Sequence, residues 1–307
     1  MAQGETKPSV LHVNDARTWR GGEQQTLYLA RGMAARGLRA ELVCRPGSAL
    51  AQKARESGLV VHEVRMRSEL DLPAALRIAR LARRGSFNIL HAHTAHAHAL
   101  ILLARRLFRA RCRLVVHRRI EFPVGRRTLG LGRLKYGSGV DAYVAISNGV
   151  KESLVAAGIA PWRIFPVRSC TDPERFASAE PDPKLRAELG VPEDAYVVGS
   201  VGYLVGHKDH ANLLRAAASA RESLPNLWVV IVGPGPLREE LLKLAEELGM
   251  SEHVVLTGFR GDIPQLLLMF DVFALSSSEE GICSSVLAAM ASRCPVVGTD
   301  AAGVREA

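Results

Sequence analysis

The sequence predicts an α/β protein with two doubly wound parallel sheets facing a cleft, and three observations carry that expectation. Short β-branched runs alternate with helical segments along the chain. The alternation breaks once, at the Pro- and Asp-rich TDPERFASAEPDP between Thr171 and Pro183. A length of 307 residues exceeds one ordinary core and suits two lobes of roughly 100 to 200 residues each.

The first lobe, residues 1–175, reads as strand SVLHVN, helix EQQTLYLARGMAARG, strands RAELVC and LVVHEV, helix DLPAALRIARLARRG, strand NILHAH and helix HALILLARRLF. Strands RLVVHR and DAYVAIS, helix GVKESLVAAG and strand RIFPVRS complete it. Strands separated by helices are joined by crossovers, which makes neighbouring strands parallel and puts helices on both faces. Thr171 to Pro183 is a linker by composition. The second lobe, residues 176–307, repeats the scheme from YVVGSVG through LWVVIVG, VVLTG and VFALSS to PVVGTD.

Hydrophobic residues make up 48% and charged residues 23%, which excludes a disordered or fibrous chain. Five scattered cysteines, Cys44, Cys112, Cys170, Cys283 and Cys294, form no CxxC pair and point to a reducing cytoplasm rather than to zinc or redox work. The start, MAQGETKPSVLHVN, has no signal-sequence pattern and the apolar runs are strand-length, so no membrane span is expected. Residues 1–175 hold 30 Lys+Arg against 13 Asp+Glu, or +17, and residues 176–307 hold 10 against 18, or −8, which together give the net +9. Basic density peaks between Arg105 and Lys135. That stretch admits two readings, a solvated arginine-rich face or one drawn to an anionic membrane surface or phosphorylated glycolipid. It lacks the aromatic stacking positions of nucleic-acid binding, so no nucleic-acid partner is expected.

Seven segments carry the chemistry: RGGEQQTLYLARGMAARG, NILHAHTAHAH, VAISNGV, SVGYLVGHKDHANLLRAA, VIVGPGPLREEL, VVLTGFRGDIPQLL and FALSSSEEGICSSVLAAMASRCPVVGTDAAGVREA. Gly21 and Gly22 follow a strand and open a helix, where backbone can approach a bound group and free N–H groups await an anion, or where the chain simply turns. No GxGxxG follows, so a nicotinamide-binding fingerprint is missing. Lys208 lies just beyond YVVGSVG, where a cation can meet a leaving diphosphate. Gly281 and the amides of Ile282, Cys283, Ser284 and Ser285 open a helix and can face phosphate. His91, His93, His96 and His98 crowd one strand end, but their spacing matches no common zinc pattern, and no metal or other cofactor is expected.

In order, these segments resemble the family-4 retaining glycosyltransferases of the GT-B fold, in which two Rossmann-like domains face a cleft; the resemblance covers nearly the whole chain. It implies a nucleotide-sugar donor in the second lobe, a glycan or glycolipid acceptor in the first, and a role in bacterial cell-surface polysaccharide or lipopolysaccharide synthesis. It implies that Glu280 holds sugar hydroxyls, that Lys208 and the loop at Gly21 and Gly22 meet donor phosphate, and that His117 contacts the donor sugar. The acceptor side falls to His93, Arg118 and Arg119, with Glu121 in the same charged loop. The protein is then cytoplasmic, with the inner face of the cytoplasmic membrane as a candidate surface.

Four departures stand out against that family. Tyr203 replaces an arginine, with His207 or an arginine of the first lobe as a substitute cation. Ala288 stands where a second carboxylate grips the ribose, Cys170 replaces a glycine, and the family continues for several elements beyond the position of Glu306, so the second lobe reads as incomplete. Two other functions stay open on the sequence: a nucleotide-sugar 2-epimerase of the same fold, which needs no acceptor, and a degenerate nucleotide-binding relic.

Overall fold

The computed structural model describes residues 7–119, 135, 137 and 139–307, and the chain divides into two compact units, Met1–Arg168 and Ser169–Ala307. In the first unit the strands are β1 (Ser9–Asn14), β2 (Arg39–Cys44), β3 (Val61–Glu63), β4 (Ile89–Ala92), β5 (Arg113–Arg118), β6 (Ala142–Ala145) and β7 (Ile164–Pro166). They lie in the order β3-β2-β1-β4-β5-β6-β7, all pairs parallel. The helices between them are α1 (Gly21–Ala35), α2 (Ala49–Glu56), α3 (Leu72–Arg84), α4 (Ala95–Arg106) and α5 (Asn148–Ala156).

Strand pleating explains why both faces need helices. Leu42 and Val43 are neighbours on β2 and both fully buried, yet they enter opposite cores. Leu42 packs with Leu27, Ala30 and Leu50, whereas Val43 packs with Ile78 and Leu90, as a two-residue period requires. Helix α3 shows the complementary 3.6-residue period: Ala74, Ala75, Ile78, Ala79 and Ala82 are buried, while Arg77, Arg80, Arg83 and Arg84 are exposed. Its start is fixed by Asp71, whose side chain accepts from the Ala74 amide at 3.0 Å.

The second unit holds β8 (Tyr196–Val201), β9 (Leu227–Val232), β10 (Val254–Gly258), β11 (Val272–Leu275) and β12 (Val296–Gly298), in the order β10-β9-β8-β11-β12. Its helices are α6 (Pro173–Ala177), α7 (Leu185–Glu188), α8 (His210–Arg221), α9 (Arg238–Glu247), α10 (Ile263–Met269), α11 (Ser284–Ala291) and α12 (Ala302–Arg305).

The structure differs from the sequence reading in three places. The segment read as linker contains α6, and Phe176 on it is buried in the second unit's core. The division between units accordingly falls after Arg168 rather than after Arg175. Helix α2 lacks a strong apolar run and went unread; its Ser48 cap, accepting from the Ala51 amide, and the buried Leu50, Ala51 and Ala54 account for it. Glu121 and most of the basic stretch before Lys135 lie outside the described residues.

Chain order in both sheets reverses once: between β1 and β4 in the first unit, and between β8 and β11 in the second. Loops leaving the carboxyl ends of two such strands diverge to opposite faces and leave a crevice there. Lys208 and Glu280 in the second unit, and His93, His117 and Arg119 in the first, lie at the carboxyl ends of strands at or beside these reversals.

Candidate functional site

In the second unit, the loops after β8 and β11 bring together Lys208 and Glu280, which are 72 residues apart. Lys208 ends a short turn, Gly206–Lys208, and Asp209 follows in a left-handed conformation at φ +46°, capping α8 by accepting from the Asn212 amide. The β11 loop clamps this turn from outside: Ser276 Oγ donates to the Lys208 carbonyl at 3.0 Å and the Ser278 amide to the His207 carbonyl at 2.9 Å. Lys208 Nζ then donates to Glu280 Oε1, which also accepts from Ser277 Oγ at 2.7 Å. Burial works against the Lys208 charge, but electrostatic attraction from the Cys283 and Glu280 side chains and the hydrogen bond to Glu280 outweigh it, and the lysine's pKa lies above its ordinary value.

Gly281, Ile282 and Cys283 lead from this pair into α11, which begins at Ser284 as the sequence suggested. Cys283 at the N-cap provides no side-chain cap, its Sγ lying 3.0 Å from Ser285 Oγ. The first-turn amides of such a helix have no intrahelical partner and carry the positive end of its dipole. Ala288, which stands where the family has its second carboxylate, is buried at 5% exposure among Val286, Phe270 and Leu275. His207 is exposed and Tyr203, half-buried, brings no charge.

Helix α12 approaches from the other side. A Cβ on Gly303 would collide with the Glu280 and Gly281 carbonyl oxygens, so only glycine permits this packing. Gly303→Ala is expected to push the Glu280 loop out of place at a cost of about 1 to 3 kcal/mol. The variant should therefore bind a nucleotide sugar roughly tenfold more weakly by calorimetry; undiminished affinity would show that the loop position is immaterial.

In the first unit the carboxyl ends of β1, β4 and β5 gather His12, His91, His93 and His117. His91 and His93 rings lie 4.2 Å apart and His12 sits 5.3 and 5.2 Å from them, while His117 stacks on His91 at 5.7 Å. The hydrogen bonds fix a direction. Arg119 Nη2 can only donate, so His93 Nδ1 accepts it at 3.3 Å and the His93 proton sits on Nε2, which donates to His12 Nδ1 at 3.0 Å. Burial holds all four imidazoles neutral, with His12 lowered to about 4 and His91, His93 and His117 well below the usual value. Burial likewise lowers Arg119, to about 10, against the pull of Glu23.

Gly22 opens α1 against this cluster. A Cβ there would lie 3.6 Å from Arg119 Cδ. Glu23 ties the helix start down by accepting from the Arg20 amide at 3.0 Å, and burial raises its pKa. The structure brings Gly22, His93, His117 and Arg119 together, residues the sequence analysis assigned to separate tasks, and adds His12 and Glu23, which it did not single out. A lone histidine inside SVLHVN offers no signal until β1 is paired with β4. Arg118 goes elsewhere: it alternates with His117 and Arg119 along the strand, and its charge acts on His98 together with Lys135.

Among the described residues, His12, His91 and His93 are a group close enough to share a metal ion, with ligand nitrogens within 4.8 Å. An ion held by all three would displace the His93–His12 hydrogen bond and sit beside the Arg119 cation. The donor set therefore fits a neutral hydrogen-bonded chain better than a ligand set.

Residues 19–175 match the family described as Glycosyltransferase Family 4, and residues 181–307 match Glycosyl transferases group 1. The chain is 29% identical over 287 residues to the lipopolysaccharide core biosynthesis glycosyltransferase LpsE of Rhizobium meliloti, covering 92% of this chain and 76% of that one. It is 31% identical over 274 residues to a GDP-mannose-dependent alpha-(1-6)-phosphatidylinositol monomannoside mannosyltransferase of Mycolicibacterium smegmatis, covering 83% and 70%. The crystal structure of Anabaena Alr3699/HepE in complex with UDP and glucose shares the fold with a TM-score of 0.83 at 22% identity, covering 97% of this chain and 82% of that one. Two parallel-sheet units with this order of motifs, matched along their length by these families, place the chain in glycosyltransferase family 4.

Proposed function

We propose that this glycosyltransferase moves a hexosyl group from a nucleotide sugar, held by the second unit, to a glycan or glycolipid acceptor held by the first, in the synthesis of a cell-surface polysaccharide or lipopolysaccharide. The observation that carries the reading is the pairing of Lys208 with Glu280 at the opening of α11. A diphosphate entering there exchanges with Glu280 for the lysine. The displaced carboxylate is then free to accept hydrogen bonds from sugar hydroxyls, while the α11 amides receive phosphate oxygens. The relatives' activities in lipopolysaccharide core synthesis and in mannosyl transfer support the acceptor class.

Transfer proceeds with retention. The bond from the anomeric carbon to the leaving phosphate breaks, the acceptor oxygen bonds to the same face, and its proton passes to the departing phosphate. Lys208 and the helix amides stabilise the charge that develops on the leaving group, so the reading assigns that task to no metal. In the first unit the reading assigns Gly21 and Gly22 to donor phosphate, His117 to the transferred sugar, and His93 and Arg119 to the acceptor. Among the described residues no helix is long and apolar enough to cross a membrane; the basic first unit is the proposed contact with an anionic membrane surface.

A thermal-shift panel of UDP, GDP, ADP and their sugar conjugates tests the reading. A nucleotide at about 100 times its Kd stabilises the folded state by about 2.7 kcal/mol, which raises the midpoint by several degrees in a domain of this size. One base should stand out. A flat response to every nucleotide would refute donor binding.

A further inference from the structure

A second charged feature lies on the first unit, where the chain leaves its first three strands. Strands β3, β2 and β1 are consecutive neighbours and all parallel, so the segments leaving them emerge side by side at one edge of the sheet, about 4.8 Å apart. Each delivers arginine. Arg17 follows β1, Arg45 directly follows β2, and Arg65 and Arg67 follow β3. Together they line a recess of about 540 Å³ whose lining includes no acidic side chain. An adjoining recess of about 570 Å³ shares Arg65 and Arg67 and adds Arg77 from α3.

The nearby acids are already engaged. Asp15 is held by Thr94 at 2.5 Å and His96 at 2.7 Å, and touches Arg45 only at 3.5 Å. Glu63 pairs with Arg55 at 2.9 Å and takes the Gly47 amide. Asp71 accepts the Arg67 and Ala74 amides. Among the described residues Arg17 and Arg65 have no ion-pair partner, and Arg45 Nε is buried without a hydrogen bond. Four guanidinium groups around one concavity repel one another, and a group with several acceptor oxygens and two or more negative charges relieves that repulsion. Guanidinium forks match the geometry of phosphate oxygens. The start of α2, capped by Ser48 at the recess wall, adds a positive dipole end.

We propose that this recess binds a phosphate-bearing group of the acceptor, so that the transferase recognises a phosphorylated glycan or glycolipid. The assignment to the acceptor rests on the transfer reading above; the binding of phosphate does not.

Titration calorimetry with inorganic pyrophosphate at low ionic strength tests it on three full-length proteins. These are the wild type, Arg17→Gln/Arg65→Gln/Arg67→Gln, and Lys208→Met/Glu280→Gln, which alters the second unit without leaving an unpaired charge. The three arginines are exposed, and circular dichroism checks that their variant stays folded. The arginine variant is expected to lose the first unit's pyrophosphate site, weakened at least about tenfold, and to keep only that of the second unit, whereas the Lys208/Glu280 variant retains the arginine site at wild-type strength. Vesicles of phosphatidylglycerol in phosphatidylcholine, sedimented alongside, separate the sources. Retention that falls in the arginine variant assigns a lipid headgroup, and retention that does not change assigns a phosphate on the glycan. Pyrophosphate binding that is absent in the wild type, or equal in the arginine variant, overturns the proposal. A failed nucleotide panel with these results intact would remove the transfer reading and leave the phosphate site standing.

Discussion

Lys208→Met is expected to destabilise the second unit by about 3 to 5 kcal/mol, the usual cost of leaving one partner of a buried ion pair alone, as well as to abolish donor binding. The side chains of Lys208 and Glu280 are only 15% and 10% exposed. Without the ammonium, Glu280 keeps the single hydroxyl of Ser277 in a setting that disfavours its charge. The companion variant Lys208→Met/Glu280→Gln carries no buried charge and should recover most of the lost stability, while donor binding stays lost. Urea midpoints for the wild type, both single variants and the double variant form the cycle. Additive losses would mean that the pair is not energetically coupled.

Acid should undo the first unit through its histidines. The folded-state pKa of His12 is about 4, below the 6.5 of an unfolded chain, so between those values the unfolded chain binds the extra proton. The sign follows: the histidine's full stability is present above pH 6.5 and drains away as pH falls toward 4. For His12 the total is roughly 3 kcal/mol. His91, His93 and His117 are lowered in the same direction by the same burial. Being in ring contact they titrate as a group rather than one by one. Urea midpoints measured from pH 7.5 to 4.5 should fall steeply, and more shallowly in His12→Gln, which has no proton to accept. Parallel slopes in the two proteins would show that burial is not what sets the acid response.

The sheets were legible because parallel strands covered on both faces are continuous apolar runs, and LWVVIV and VFAL are such runs. Helix α6 was not, because PERFA sits among Pro, Asp and Ser that mimic a linker, and only the burial of Phe176 gives it a place. The site was legible in its parts. Lys208, Glu280 and the α11 start were each readable as charge or helix opening, but their pairing across 72 residues depends on β8 lying beside β11. The separation of Arg118 from Arg119, by contrast, follows from strand alternation alone.

The chain reversal in the second sheet also sets an order of events during folding. Strand β8 acquires β9 and then β10 on one side from segments that follow it in sequence, while its other edge waits for β11, first paired through Val272 with Val198 and Phe273 with Gly199. That pairing closes a much longer loop, and long-range parallel contacts are the slow ones. Until they form, β8 has an open edge and Lys208 has no Glu280. Nucleotide-binding competence should therefore emerge late in refolding, after most of the second unit's helical signal has returned, and the same unpaired edge is where a stalled chain is most exposed to association with another copy.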